Sequence, residues 1–467
     1  MKKHNSIVLA LCAGMLLFSC EKPIVVDRVD EGEYANVTTL TATLRDVPTR
    51  RTNAVVELRQ NAYQTSVAVS LPRPAGKGVD FKLSYDASYL ESYNAQHETS
   101  FALYPESKLS LQNDGVVVMA PDETTSYELG LTLEPFDDKE EATYVLPLKL
   151  TTTTDGVQVS EESHLVYLVK NMNWQSSVIR KEGEKKIISW IEVNNTNPLN
   201  MLQFETEDGR LLTDYVVLFA YNINYNRETG EVYVFSNPQC QYILDHYDEV
   251  IRPLRERGIK VIISILGNHD ESGLAQLSDL GCREFARKVA AVVNAYGFDG
   301  VNYDDEYSNA PDLSNPLFAS RSVAQGNRLY FETKKLLPDK EMVSYQYGSA
   351  LGNAPVDGID PSEYMDIFNG DYGRRAVPYG NSSLSACSYQ SSEFARGNAL
   401  PSESEAENFV NSEYGFWMTF SLWNAQGRQS DWNYMNILAQ KVLGSPLKKP
   451  AYYYPETKSL ETKPITW

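Results

Sequence analysis

Residues 298–309 read FDGVNYDDEYSN, and the reading of the whole chain turns on this stretch. Residues 300–304 have the make-up of a buried strand. Four carboxylates, Asp299, Asp304, Asp305 and Glu306, nevertheless crowd into and around it. Side chains alternate along a strand, so Asn302, Asp304 and Glu306 share one face and Asp305 points the other way. Burying an unpaired carboxylate is costly, and a second one close by costs more. Carboxyls held that close push their pKa values apart, so one stays ionised while the other keeps its proton near neutral pH. An acid poised in this way can protonate a leaving oxygen. Taken alone, the cluster could equally be a solvated acidic loop or a cation site.

Working outward from this strand, the chain after Asn171 alternates apolar strand-like runs with helical ones. The strand candidates are KIISWIEV (186–193), YVVLFAY (215–221), KVIISIL (260–266), GVNYD (300–304), EMVSYQY (341–347), YMDIFN (364–369), LSACSYQ (384–390) and GFWMTFSLW (415–423). Helical patterns occupy 240–257, 282–296, 328–337, 403–412 and 432–443. Eight runs, apolar as if covered on both faces and joined by helical crossovers, predict a (β/α)8 TIM barrel over 175–467. Barrel active sites sit at the C-terminal ends of the strands, and the acidic cluster ends the fourth. Residues 37–172 differ: short β-branched strands punctuated by Pro72, Gly76, Asp114-Gly115 and Asp155-Gly156 predict an all-β sandwich with nothing catalytic in it. Its expected role is a spacer, a docking module or a glycan-binding module.

The N-terminus, MKKHNSIVLALCAGMLLFSCEK, has a positive start at Lys2 and Lys3 and an apolar stretch over 7–18, too short to remain as a membrane span. It reads as an export signal over 1–20. Leu17-Phe18-Ser19-Cys20 resembles a bacterial lipobox, with Phe18 a less usual choice. Acylation of Cys20 would anchor the mature chain through a polar tether over 21–36. The expected location is the outer membrane or cell surface of a Gram-negative bacterium; ordinary signal cleavage would give secretion instead. Sixty-two acidic against 42 basic residues, a net charge of −20, argue against nucleic acid as a partner. Cys240, Cys282 and Cys387 form neither a CxxC pair nor a disulfide framework. No His/Cys/Asp cluster has metal-ligand spacing, so no metal is expected.

Two motifs carry a family resemblance. Asp299-Gly300-Val301-Asn302-Tyr303-Asp304-Asp305-Glu306 resembles the DGxDxDxE signature of glycoside hydrolase family 18, and Ser264-Ile265-Leu266-Gly267 resembles its SxGG signature. ILGNH, with IEVNNTN, FAYNINYN and YGFDGVNYDDEYS in the same order, looks like the endo-β-N-acetylglucosaminidases of the endo-H type. The resemblance covers roughly 186–443. The β-rich region is similar to small modules ahead of such domains in surface lipoproteins of glycan-foraging bacteria. The resemblance implies Glu306 as general acid/base and Asp304 as the residue orienting the substrate's 2-acetamido group. That group's oxygen attacks the anomeric carbon and gives an oxazolinium intermediate with retained configuration. This is an exception to the usual two-carboxylate scheme. No cofactor is implied.

Asn302 departs from the signature, where many members have Asp. Its amide is a permanently neutral donor and acceptor, like the protonated form of that Asp. Tyr345 and Tyr347 are candidates to donate to the acetamide oxygen. Asn369 and Tyr372 would line the −1 subsite, and Trp423 and Asn424 would form its floor. Asn268 and Tyr303 complete the candidate substrate-binding set, and His269 is a loop residue near the mouth. The implied activity cleaves the GlcNAc-β-1,4-GlcNAc bond of the N-glycan core, with N-linked glycans of glycoproteins as partners and the chain a monomer. A chitinase-like hydrolase and a non-catalytic glycan-binding lipoprotein are the alternatives.

Overall fold

The computed structural model describes residues 39–467 apart from 161–163, 181–182, 349 and 423–428. The signal-like segment, Cys20 and the tether lie outside the described residues, as do Trp423 and Asn424.

In Leu40–Asp46 every second side chain is buried, the period of a strand with one face on a core. This pattern builds two sheets. One runs in the order 157–159, 40–46, 63–70, 129–133, 109–111. The other runs 53–58, 164–171, 142–152, 79–85, 116–119, with 102–103 beside 142–152. Leu44, Val69 and Leu131 from the first meet Leu83, Leu148 and Tyr167 from the second in one apolar core. A helix the sequence reading missed, Leu90–His97, covers the outer face of the second sheet, where Tyr93 packs with Val145, Val166 and Leu168. That explains why Val145, Leu146, Pro147 and Leu148 are buried in succession instead of alternating.

The larger sheet has eight parallel strands: β1 (Lys186–Glu192), β2 (Tyr215–Asn226), β3 (Lys260–Leu266), β4 (Gly300–Asp304), β5 (Glu341–Gln346), β6 (Ile367–Gly370), β7 (Ser388–Glu393) and β8 (Phe416–Phe420). Their order is β6-β5-β4-β3-β2-β1-β8-β7. The edge strands β6 and β7 meet through one parallel bridge, Phe368 to Cys387, and through Ser391 Oγ donating to the Gly370 carbonyl at 2.6 Å. The sheet is therefore all-parallel in these strands and nearly closed. Strands β3 and β4 have the limits read from sequence. Strand β7 starts later than expected, because Leu384–Ala386 forms a 3-10 turn. Strand β2 runs on to Asn226 and pairs with an unforeseen antiparallel strand, Glu231–Phe235.

Helices α1 (Asp279–Tyr296), α2 (Val323–Leu336), α3 (Glu403–Asn411) and α4 (Gln429–Val442) lie against the sheet's outer side. Ser278 caps α1 by accepting from the Gly281 N–H, and Gly297 ends it at φ 62°. Not every crossover is an α-helix. Short 3-10 turns, Pro198–Gln203, Pro361–Glu363 and Leu384–Ala386, connect β1 to β2, β5 to β6 and β6 to β7. The single helix expected over 240–257 is three short ones, Pro238–Asp245, Tyr247–Val250 and Arg252–Glu256. His246 leaves helical geometry at φ −112°, and Pro253 begins a new turn.

The N-terminal sheets dock on the end of the barrel-like sheet where its strands begin. Arg255 is buried between Asp299, at 2.9 and 3.0 Å, and Glu141 of the N-terminal region, at 3.1 Å, with its guanidinium over Trp174. Lys260 bridges Glu57 and Glu341, each at 2.7 Å. Asp366 takes Arg51 and Lys334, each at 2.9 Å. Burial pushes the Asp366 carboxyl up, but these two cations win and bring it down to about 2. Burial also works against ionised Asp299, and Arg255 overrides it to hold that carboxyl below its usual value. Replacing Arg255 with Met strands Asp299 as an unpaired buried charge. The expected loss is about 3–5 kcal/mol, measured as a lower urea midpoint; an unchanged midpoint would show that the pair carries no stability.

Candidate active site

The four carboxylates of 298–309 have four different surroundings. Asp299 belongs to the docking interface described above. Asp305 is turned aside as expected: it accepts from the Ala275 N–H at 3.0 Å and pairs with Arg321. Asp304 ends β4 inside the mouth of the sheet and is 5% exposed. Glu306 follows it in a tight turn, its N–H donating to the Asp304 carbonyl at 3.0 Å, with its side chain half-buried. No donor among the described residues hydrogen-bonds either carboxyl. Burial, then the charges of Glu306, Asp305 and Asp371, raise Asp304 well above its ordinary pKa. Burial and Asp371 also raise Glu306, against a lowering contribution from Arg321. Burial and neighbouring like charges thus raise the proton affinity of both carboxyls.

Neighbouring strands fix where the pair sits. Asn302, fully buried on the same face as Asp304, accepts from Ser264 Oγ at 2.7 Å and donates to the Val343 carbonyl at 2.8 Å. It thereby ties β4 to β3 and β5, and both functions of its amide are spent on the scaffold. Gly267, at the end of β3, lets the next loop approach: a Cβ there would lie 2.2 Å from the Glu306 carbonyl oxygen. His269 is exposed at φ 59°, and its N–H donates to the Tyr307 carbonyl at 2.7 Å, so the β3 and β4 loops are stitched together. Asn268 donates to Asn224 Oδ1 at 3.0 Å and is half-buried beside this loop.

Strands β5 and β6 supply the opposing wall. Tyr345 is buried, and its hydroxyl donates to Asp371 at 2.8 Å. Its proton is thus already engaged. Asp371 also accepts from the Tyr372 N–H at 2.7 Å. The Tyr372 phenol is kept protonated by burial and by the charges of Glu393, Asp304, Asp371 and Glu306, which places its ring among them. Tyr347 is 48% exposed and stacks 6.0 Å from Tyr345. A cleft of about 210 Å³ opens beside Tyr347 and Asp371, lined also by Gln346, Gly370, Arg374 and Tyr379. Asn369 is fully buried on the inward face of β6, and among the described residues neither its amide oxygen nor its nitrogen has a hydrogen-bond partner. The Trp190 indole N–H, in the interior of β1, is likewise without one.

One expected member lies elsewhere. Tyr303 alternates with Asn302 and Asp304 and therefore faces outward, where its hydroxyl meets Thr333 of α2 at 2.6 Å. It packs the layer between sheet and helix, and its placement as a substrate-binding residue is corrected on that ground. Two acids of the mouth escaped the sequence reading, Asp371 and Glu393. Asp371 follows a strand of four residues, too short for its alternation to show a facing. Glu393 ends a strand whose start was placed four residues early, which lost its register.

Comparison with known proteins finds similar chains of one kind. A family model described as a "-like, N-terminal domain" matches residues 34–157. The endo-beta-N-acetylglucosaminidase F1 of Elizabethkingia meningoseptica is 38% identical over 243 residues, 51% of this chain and 71% of that protein. An endo-beta-N-acetylglucosaminidase of Flavobacterium sp. (strain SK1022) is 31% identical over 241 residues, 50% of this chain and 74% of the relative. The crystal structure of Bacteroides thetaiotamicron EndoBT-3987 with Man5GlcNAc product superposes with a TM-score of 0.86 at 38% identity, covering 90% of this chain and 99% of that one. The same enzyme in complex with Man9GlcNAc2Asn substrate gives a TM-score of 0.77 at 36% identity, covering 90% and 98%. With a relative of this identity matched over more than two thirds of its length, the chain belongs to the endo-β-N-acetylglucosaminidase family of glycoside hydrolases.

Proposed function

We propose that the protein hydrolyses the β-1,4 bond between the two N-acetylglucosamines of the N-glycan core, releasing the glycan and leaving one sugar on asparagine. The observation that carries this is the pairing of Asp304 and Glu306 at the C-terminal edge of β4, both with raised proton affinity. The Man9GlcNAc2Asn substrate bound by the similar EndoBT-3987 supports the same substrate class. We read the eight parallel strands as a (β/α)8 barrel of about 175–467 behind a β-sandwich of about 37–172, three of its crossovers being reduced to 3-10 turns.

In this reading Glu306 protonates the glycosidic oxygen while the substrate's acetamide oxygen attacks the anomeric carbon. Asp304 faces the acetamide nitrogen and balances the positive charge of the oxazolinium. Glu306, now ionised, removes a proton from the water that opens the ring, so configuration is retained. The pair shares protons: as charge develops on the acetamide, Asp304 becomes the better anion and Glu306 the better donor. Asn369, whose amide atoms have no partner among the described residues, and Tyr372 line the sugar beside this pair. Tyr345 reaches the acetamide only by giving up its bond to Asp371. Lipid anchoring at Cys20, placement at the outer membrane or cell surface, and a monomeric state complete the reading. Among the described residues no helix is long and apolar enough to cross a membrane.

Replacing Glu306 with Gln should lower kcat on a high-mannose glycoprotein by at least about a thousandfold while glycan affinity persists, read by mass spectrometry of released glycan and by calorimetry. Retained turnover would remove Glu306 from the acid role. The Asp304 carboxyl is raised in the folded state, so ionisation weakens the fold progressively above the ordinary carboxylate range and has no effect below it. Asp304→Asn should therefore raise Tm at neutral pH by roughly 3 °C, with the gain fading as pH falls below 4. A gain independent of pH would contradict that electrostatic origin. In Asn302→Asp, one carboxyl oxygen would face the Val343 carbonyl and demand a proton. The acid limb of the pH–rate profile should move, and a superimposable profile would sink this account of residue 302.

A further inference from the structure

Glu393 is a buried acid that the mechanism above does not use. It ends β7 in register with Phe420 of β8. Phe420 packs inward, 5.6 Å from Tyr372 and 5.6 Å from Phe219. Glu393 therefore rises on the inner side of the rim, and its charge reaches the Tyr372 phenol together with those of Asp304 and Glu306. Its side chain is only 4% exposed, and its one charged partner among the described residues is Arg396, Nε to Oε1 at 3.5 Å. That is long for an ionised pair, in which about 2.7–2.9 Å is usual. A carboxylate offers roughly four acceptor directions, and this pair satisfies at most one.

Arg396 is equally under-used. Its side chain is 81% exposed, on a short loop closed by reciprocal 2.9 Å backbone bonds between Glu393 and Asn398. Its positive charge is felt across the mouth by Tyr307, which also feels Glu306. The guanidinium thus stands at the β7 rim within electrostatic reach of the β4 loop. Below, Asn369 presents two fully buried amide atoms that have no partner among the described residues, on the same inward face. A weakly paired buried carboxylate, an exposed guanidinium beside it and a buried amide without partners among the described residues share one unmet need, which is hydrogen bonds to a polyhydroxyl ligand.

We propose that Glu393 and Arg396 form a sugar clamp on the β7 rim: Arg396 swings off the carboxylate and donates to one hexose oxygen, while Glu393 accepts from a pair of adjacent hydroxyls of the glycan. The inference rests on the hydrolase reading and adds to it a specificity-determining site outside the Asp304–Glu306 pair.

Glu393→Gln keeps shape and removes charge, and Arg396→Ala trims an exposed side chain with little threat to folding. With a high-mannose glycopeptide, Glu393→Gln should raise KM about tenfold or more, with kcat falling less than about threefold and Tm not lowered. In the Glu306→Gln background, the Kd for the same glycopeptide should weaken in parallel. Arg396→Ala should give a smaller KM increase in the same direction. Unchanged KM and Kd alongside normal wild-type cleavage would overturn the clamp and leave the hydrolase reading standing. A kcat loss that tracks a falling Tm would also overturn it, since that marks a purely structural role. Absence of wild-type cleavage would overturn both.

Discussion

Two carboxyls at the end of one strand, short of water and short of hydrogen-bond donors, cannot both be ionised near neutral pH without weakening the fold. Asp304 and Glu306 are in that position, and much of the surrounding structure serves to hold them there. Strand β4 is buried along its whole length, so the pair cannot retreat to solvent. Asn302 pins that strand to both neighbours through two side-chain hydrogen bonds. Gly267 removes the one atom that would push the Glu306 backbone away. The scaffold therefore imposes this water-poor setting, and the chemistry inherits carboxyls whose proton affinity is raised above the ordinary range.

The opposite end of the sheet shows the complementary arrangement. There the acids Asp299, Glu341 and Asp366 each meet an arginine or lysine, and the N-terminal sheets contribute Glu57, Glu141 and Arg51 to the same networks. Charges at the start of the strands are paired and serve cohesion. At their ends Asp304 and Glu306 have no ion pair among the described residues, while Asp305 meets Arg321 and Glu393 meets Arg396. This division between a stabilising bottom and a reactive top is common to parallel barrels. It gives the N-terminal region a mechanical role whatever else it binds: removing it would leave Arg255 and Lys260 with half of their partners.

What was legible in the sequence depended on how local the signal was. Strand β3 read correctly because its apolar run is bounded by Lys260 and Gly267, and β4 because Gly300 opens a short run ending in the acidic cluster. The N-terminal strands that read well, such as Asn53–Leu58 and Val79–Tyr85, alternate cleanly. The helix Leu90–His97 was missed because its mean polarity hides a single buried ring, Tyr93. Tyr303 does not belong to the substrate-binding set, because its alternation with Asn302 and Asp304 turns it outward to Thr333. Asp371 and Glu393 were illegible for a different reason: their importance lies in which strands adjoin, and β6 adjoins β7 only through sheet closure. Asp299 looked like part of a catalytic cluster until Arg255, 44 residues earlier, came into contact with it.

The central claim is that the Asp304–Glu306 pair binds a proton where ordinary carboxyls have lost theirs. Carbon-13 NMR of side-chain carboxyls in the wild-type protein, assigned with Asp304→Asn and Glu306→Gln, tests this without substrate. The account predicts two coupled titrations, one displaced well above the usual carboxylate range and each altered when the other residue is replaced. Two independent titrations at ordinary carboxylate values would contradict it.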